Sequence, residues 1–353
     1  MLATSLLTSL PTATTDSLGI LEENTHTASI GYWSSVPCPA NSTLYSVTMI
    51  SADDGWAVGQ NGTILHWGGD HWEEVSSPTS STLYSVAMVS ADDGWAAGEG
   101  GTILHWNGYS WDEVASPTTQ TLHSVTMTSS GDVWIVGGEL YFTGDTAGGI
   151  ILRWDGASWS VQEVQYYLYS IAMVSPDDGW IGGYEEYHDF DPPFAGYENT
   201  VMLERDDVTW GVHTLWPDLW LRICSIAMIS ADAGWAVGYS VSPDPGSGII
   251  KRWDGESWQP VANPTSNGLL SVDIVSASNG WAVGRAGSII HWDGTSWQSV
   301  ASPTSRDLFS VAMVSADDGW AVGGTWREDG VILRYWVPTE WRYLPVIVKN
   351  LGP

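Results

Sequence analysis

The chain has 353 residues, with 24 Trp against only 4 Phe, and 41 Asp and Glu against 11 Lys and Arg, for a formal charge of −30. A surface this acidic repels phosphate backbones and anionic lipid, which argues against nucleic-acid and membrane-surface partners. No run reaches the length of a transmembrane helix, and the two cysteines (Cys38 in a Pro-flanked connector, Cys224 in an apolar run) do not specify a disulfide framework.

Residues 1–30 come first. Met1-Leu-Ala-Thr-Ser-Leu-Leu has a short apolar core but no positive flank, and reads as the remainder of a signal peptide. The Ser/Thr-rich stretch that follows reads as a linker, so the expectation is an exported protein, extracellular or on the surface of a bacterium. Trp33-Ser-Ser-Val-Pro-Cys38 is an isolated strand signal. Trp33 precedes Leu44 by 11 residues, the spacing of Trp72 to Leu83 and of Trp111 to Leu122.

From Leu44 a pattern begins and repeats. Leu44-Tyr-Ser-Val-Thr-Met-Ile-Ser51 alternates, with Tyr45, Val47 and Met49 expected on one face and Ser46 and Thr48 on the other. Ser51-Ala-Asp-Asp-Gly55 is expected to turn, with Gly55 taking positive φ. Trp56-Ala-Val-Gly59 and Thr63-Ile-Leu-His-Trp67 follow as strands, and a fourth strand starts at Trp72. The Trp after the turn recurs at 56, 95, 134, 180, 235, 281 and 320, at intervals of 39, 39, 46, 55, 46 and 39 residues. Four short strands per copy at a period near forty predict an all-β fold, a seven-bladed β-propeller of four-stranded antiparallel blades over 31–347, with a tail at 348–353. Three Trp per copy, as at Trp95, Trp106 and Trp111, are expected to pack between neighbouring blades.

The turn before the fourth strand reads Trp154-Asp-Gly-Ala-Ser-Trp159, Trp253-Asp-Gly-Glu-Ser-Trp258 and Trp292-Asp-Gly-Thr-Ser-Trp297. It resembles a degenerate Asp-box, in which the carboxylate caps backbone N–H groups and Gly takes the left-handed conformation. Together with Asp-Gly-Trp-Ala-Val-Gly and Gly-Thr-Ile-Leu-His, the repeat resembles Asp-box (BNR-like) propellers of the photosystem II assembly-factor-like family. That resemblance covers about 300 residues and implies a scaffold that holds a protein partner. In that family a basic patch is thought to matter, and this acidic chain has no equivalent patch, so a photosynthetic role does not transfer with the fold.

Departures from the repeat point to function, because identical blades cannot carry a unique site. From Trp134 to Arg153, Trp180 to Arg205 and Trp235 to Arg252, the second-to-third-strand loops of blades three, four and five are about 9, 15 and 7 residues longer than that of blade one. All three are expected on one face. They supply the candidate ligand-binding residues Tyr141, Phe142, Asp145, Tyr184, Glu185, Glu186, Tyr187, His188, Asp189, Phe190, Asp191 and Tyr197, aromatic rings beside carboxylates that suit a glycan or a protein patch. Glu185, Glu186, Asp189 and Asp191 are the candidates for calcium, although no EF-hand spacing is present and no cofactor is expected. His66, His105, Arg153, Arg205, Arg252, His291 and Tyr335 align across the blades and are expected to bond backbone or turn carboxylates.

Sialidases share such propellers but need clustered arginines, and other glycosidases need two carboxylates about 5–10 Å apart. Here the arginines are scattered. Asp273 is the sole acidic residue of an inner strand and, with Glu185 and Glu186, forms the alternative reading, a glycoside-active enzyme. The preferred reading is a non-catalytic binding scaffold. A third possibility is self-assembly by exchange of a terminal strand. The strand at Trp33 is expected to close the ring in the outer slot beside Val331-Ile-Leu-Arg-Tyr-Trp336, although Trp341-Arg-Tyr-Leu-Pro345 competes for it.

Overall fold

In each copy short turns fold each apolar run back on the last, the tightest being the two residues between Ser51 and Asp54. Leu44–Ser51, Asp54–Gly59, Ile64–Trp67 and Trp72–Glu74 thereby form one antiparallel sheet, in that order from the centre outward. Seven such sheets are present in the computed structural model, which describes residues 31–139, 148–187, 197–206, 208–216, 221–241, 245–325 and 329–338. The chain direction gives the disc two distinct faces. Turns from inner to second and from third to outer strands lie on one, the turn face. Second-to-third-strand loops and blade-to-blade connectors lie on the other, the loop face.

The ring closes as the spacing at Trp33 predicts. Blade seven is built from Asp307–Ser315, Asp318–Gly324, Val331–Trp336 and the N-terminal strand Tyr32–Val36, with Trp33 opposite Tyr335. The N-terminal strand is therefore committed within its own ring. Residues 341–345, its competitor, lie outside the described residues.

Two joints recur at every blade interface. The serine of each inner strand accepts a hydrogen bond from the next inner strand's backbone: Val86 N to Ser46 Oγ at 3.2 Å, Val125 N to Ser85 at 3.1 Å, and so round to Val47 N and Ser310 at 3.1 Å. Farther out, the outer-strand Trp of one blade stands edge-to-face on the second-strand Trp of the preceding one. Examples are Trp111 on Trp56 (5.4 Å, 81°), Trp72 on Trp320 (5.3 Å, 87°) and Trp33 on Trp281 (5.4 Å, 79°). Most repeat-borne Trp are buried here as expected, their indole edges over ring faces. Third-strand Trp differ, since Trp67 Nε1 donates to the Ala52 carbonyl at 2.9 Å.

Three local expectations are corrected. Alternation fails at Tyr45, because a β-bulge between Leu44 and Ser46 leaves Tyr45 without an opposite residue. Leu44 is fully buried while Tyr45 is half-exposed. Gly55 is not a positive-φ turn residue. It is needed because a Cβ there would overlap the Met49 sulfur, and the same holds for Gly94 with Met88, Gly234 with Met228 and Gly319 with Met313. The register in two blades is off by one. Trp320 faces Arg334, so Tyr335 occupies the third-strand Trp position, 4.5 Å from Trp281. Trp180 faces Glu204, so Arg205 stands in for the missing Trp, its guanidinium 4.6 Å from the Trp134 ring.

The turns before the outer strands are capped as expected. Asp293 Oδ1 accepts from Thr295 N at 2.8 Å and Ser296 N at 2.9 Å, Asp155 and Asp254 do the same, and Asn107 substitutes in blade two. Gly294 and Gly156 take positive φ at these turns. These bonds, led by the Thr295 hydroxyl, hold the Asp293 carboxyl down at about 2.

Candidate functional site

The bulge that opens every inner strand aims one side chain per blade at the mouth of the central channel on the loop face. Those positions carry Tyr45, Tyr84, His123, Tyr169, Cys224, Leu270 and Phe309, all half-buried. Five are aromatic and contiguous. Ring centroids lie 5.1 Å apart from Phe309 to Tyr45, 5.3 Å from Tyr45 to Tyr84, 5.6 Å from Tyr84 to His123 and 5.3 Å from His123 to Tyr169. The arc is held from behind. Gln60 Nε2 donates to the Tyr45 hydroxyl at 3.1 Å, and His123 Nε2 pairs with the Tyr167 hydroxyl at 2.7 Å. Burial pushes the His123 imidazole down to about 4 and the Tyr167 hydroxyl up to about 12, so both are neutral at pH 7. Burial also pushes the Cys224 thiol up to about 12, which leaves it a poor nucleophile. Both cysteines are free.

Below the collar the channel holds a cavity of about 420 Å³ whose wall includes Thr48, Thr126, Ala172, Ala227, Asp273 and Ala312. Asp273 Oδ2 accepts from the Met313 amide at 2.6 Å, and burial raises its carboxyl above the usual range. Glu185 belongs to blade four, where its oxygens accept from Gln165 and Asn199 at 3.2 and 3.4 Å. Of the three carboxylates of the alternative reading, Asp273 therefore lies on the channel wall of one blade, while Glu185 and Glu186 belong to the blade-four hairpin on the loop face.

The insert of blade four is partly strand. Asp178–Tyr187 and Tyr197–Asp206 pair without interruption from Asp178 and Asp206 to Tyr187 and Tyr197, so the hairpin rises from the loop face. Within it Tyr184 is fully buried against Tyr167, 5.2 Å away, with the Arg222 guanidinium 4.8 Å from its ring. Glu186, Tyr187 and Tyr197 are placed by backbone pairing. Tyr141, Phe142, Asp145, His188, Asp189, Phe190 and Asp191 lie outside the described residues. Among the described residues no group of three or more His, Cys, Asp or Glu is placed to hold a metal ion.

Several of the aligned residues, and Arg334 beside Tyr335, pair with carboxylates on the turn face. His66 and His105 meet Asp54 and Asp93 at 2.9 Å, Arg153 meets Asp132 at 2.7 Å, and Arg334 binds both oxygens of Asp318. Sequence reasoning missed the aromatic collar. The available signal was Tyr, Tyr, His, Tyr and Phe one residue after the buried Leu in five inner strands, concealed by assigning Tyr45 to the alternating core face.

Fold and site together define a seven-bladed propeller with an aromatic channel mouth on the face that bears its longest hairpin. The family model described as "Photosynthesis system II assembly factor YCF48" matches residues 25–115. A structure of YCF48 bound to D1 peptide superposes with a TM-score of 0.62 at 21% identity, covering 87% of this chain and 97% of that one. YCF48 from Cyanidioschyzon merolae gives 0.62 at 18%, covering 86% and 99%, and the WD40 propeller of Doa1 gives 0.60 at 14%, covering 88% and 98%. No curated protein matches the chain. The resemblance read from the repeats therefore holds. The extracellular or cell-surface location does not, because the matching family and both YCF48 structures are of photosystem assembly factors. That expectation rested on a short apolar start without a positive flank and on Ser/Thr-rich composition in residues 1–30, neither of which specifies a destination.

Proposed function

We propose that the chain is a non-catalytic scaffold whose loop face docks a polypeptide partner. The observation that carries this reading is the arc from Phe309 through Tyr45, Tyr84 and His123 to Tyr169, on the face from which the blade-four hairpin rises. Half-exposed aromatic rings locked by their neighbours offer large contact area at little entropy cost, the composition of protein-interface cores. The similarity to YCF48 bound to D1 peptide supports a protein ligand over a sugar. The insert residues Tyr141, Phe142, Asp145 and His188 to Asp191 are proposed as further contacts for the same partner. A formal charge of −30 favours a partner with basic segments, whose approach it accelerates at low ionic strength.

The test compares partner capture and crosslinking by the full chain and two loop-face variants. One carries Tyr45→Ser, Tyr84→Ser and Phe309→Ser; the other replaces residues 188–196 with a short Gly-Ser turn and keeps the buried Tyr184. Loss of the same crosslinked partner in both supports the reading. Capture by both variants as strong as by the full chain, or a glycan ligand with no protein captured, overturns it.

A further inference from the structure

Four residues after each second-strand Trp the chain has reached the loop face, leaving the sheet there at Gln60, Glu99 and Arg285 and running on as strand at Tyr184 and Tyr239. Over blades four to six, the chain's own cations occupy the ring faces there. Arg222 lies 4.8 Å from the Tyr184 ring and Arg285 lies 4.2 Å from the Tyr239 ring. Between blades one and two the equivalent residues are Gln60 and Glu99, and the space is open. A pocket of about 460 Å³ is lined by these two with Tyr45, Tyr84, Asn61 and Thr82, and no lysine or arginine is among its lining residues.

The pocket's chemistry is that of a cation receptor. Its two electron-rich rings, 5.3 Å apart at 50°, both line the one space. Burial and the Glu99 carboxylate raise both tyrosine hydroxyls, which stay protonated. The Gln60 side chain fixes Tyr45 at 3.1 Å, and the Glu99 amide is tied to the Thr82 carbonyl at 2.9 Å, so the carboxylate stands on an anchored backbone. Glu99 itself is exposed.

We infer that this pocket receives the guanidinium of an arginine from the protein partner, stacked on Tyr45 and Tyr84 and paired with Glu99. The inference rests on the scaffold reading and adds the chemistry of one contact. A planar guanidinium can stack and donate to a carboxylate at once, as a compact ammonium cannot. The chain meets the same need internally with Arg222 and Arg285, and at blades one and two it supplies only the acidic half.

The probe is a tetra-arginine peptide titrated into the full chain by calorimetry, with tetracitrulline as the neutral isostere. Glu99→Gln and Tyr84→Leu are each expected to weaken arginine binding by roughly three- to tenfold. Asp53→Asn, an exposed carboxylate on the turn face, is expected to change it by less than about twofold, which separates the pocket from general attraction to an acidic disc. Citrulline binding as tight as arginine, or equal losses for Glu99→Gln and Asp53→Asn, overturns the inference. If Tyr84→Leu fails to fold, Glu99→Gln decides alone. Partner capture that is indifferent to Glu99→Gln overturns the pocket and leaves the scaffold standing. Site-specific arginine binding with no protein captured does the reverse.

Discussion

Trp33→Ala tests ring closure at a single side chain. Trp33 is 5% exposed, stands edge-to-face on Trp281 at 5.4 Å and touches Tyr335 at 5.5 Å. Of the seven equivalent joints it is the one made by the N-terminal strand, which it fastens to blade six while that strand completes the sheet of blade seven. Truncating a buried Trp to Ala costs about 3–5 kcal/mol. With an unfolding entropy of about 2 cal/mol/K per residue over roughly 300 residues, the melting temperature falls by about 5–8 °C. Trp72→Ala is the internal control, because Trp72 holds the same place in blade one, 3% exposed and 5.3 Å from Trp320. Scanning calorimetry should give similar drops for the two variants. Deleting residues 1–40 removes the five-residue ladder with Val331–Trp336 as well and should lower the melting temperature further. If Trp72→Ala destabilises while Trp33→Ala and the deletion leave the melting temperature unchanged, another strand closes the ring and the reasoning fails.

Ala286 adopts φ 53°, where blades one and two place Asn61 and Gly100; Ala286→Gly keeps the backbone N–H that donates to Asp307 and should stabilise by about 1 kcal/mol in chemical denaturation, and a loss would show that glycine's extra freedom in the unfolded chain outweighs the backbone strain relieved. Gly94→Ala should destabilise by about 1–3 kcal/mol through overlap with the Met88 sulfur, and the double variant with Met88→Ala should recover part of that loss; strict additivity would refute the packing account. His123 has a folded pKa near 4, below its ordinary 6.5, so the folded state binds fewer protons in that window. Stability should therefore fall as pH drops from 6.5 toward 4, and His123→Phe should flatten that slope; an imidazole titrating near 6.5 by NMR would contradict its burial. Asp273 is shifted the other way: its raised pKa makes a contribution present at low pH that is lost as pH rises through the folded value. Asp273→Thr, the residue type of Thr48 and Thr126, should raise the melting temperature at pH 7 with a gain that shrinks in acid; a constant gain would place the effect in packing.

The sequence alone determined what short-range spacing encodes. The alternation within single strands and the Asp-Gly turns act within about ten residues, and the seven Trp repeat that unit at a period near forty, so blade number, strand number and the capped turns were legible. So was the place of Trp33, since its 11-residue distance to Leu44 repeats inside the chain. Tertiary structure decided whatever depends on register or on neighbouring blades. Arg205 and Tyr335 take the third-strand Trp positions because strand pairing, not sequence alignment, selects which residue faces Trp134 or Trp281. Tyr45 leaves the core because a bulge shifts it out of alternation, and Gly55 is needed because a methionine sulfur occupies the space of its missing side chain. The collar joins five rings from five blades; four recur about forty residues apart, at 45, 84, 123 and 169, whereas Phe309 and Tyr45 stand at opposite ends of the repeat and only closure of the disc brings them 5.1 Å apart. The bulge that turns them toward the channel mouth depends on strand pairing, which spacing does not record.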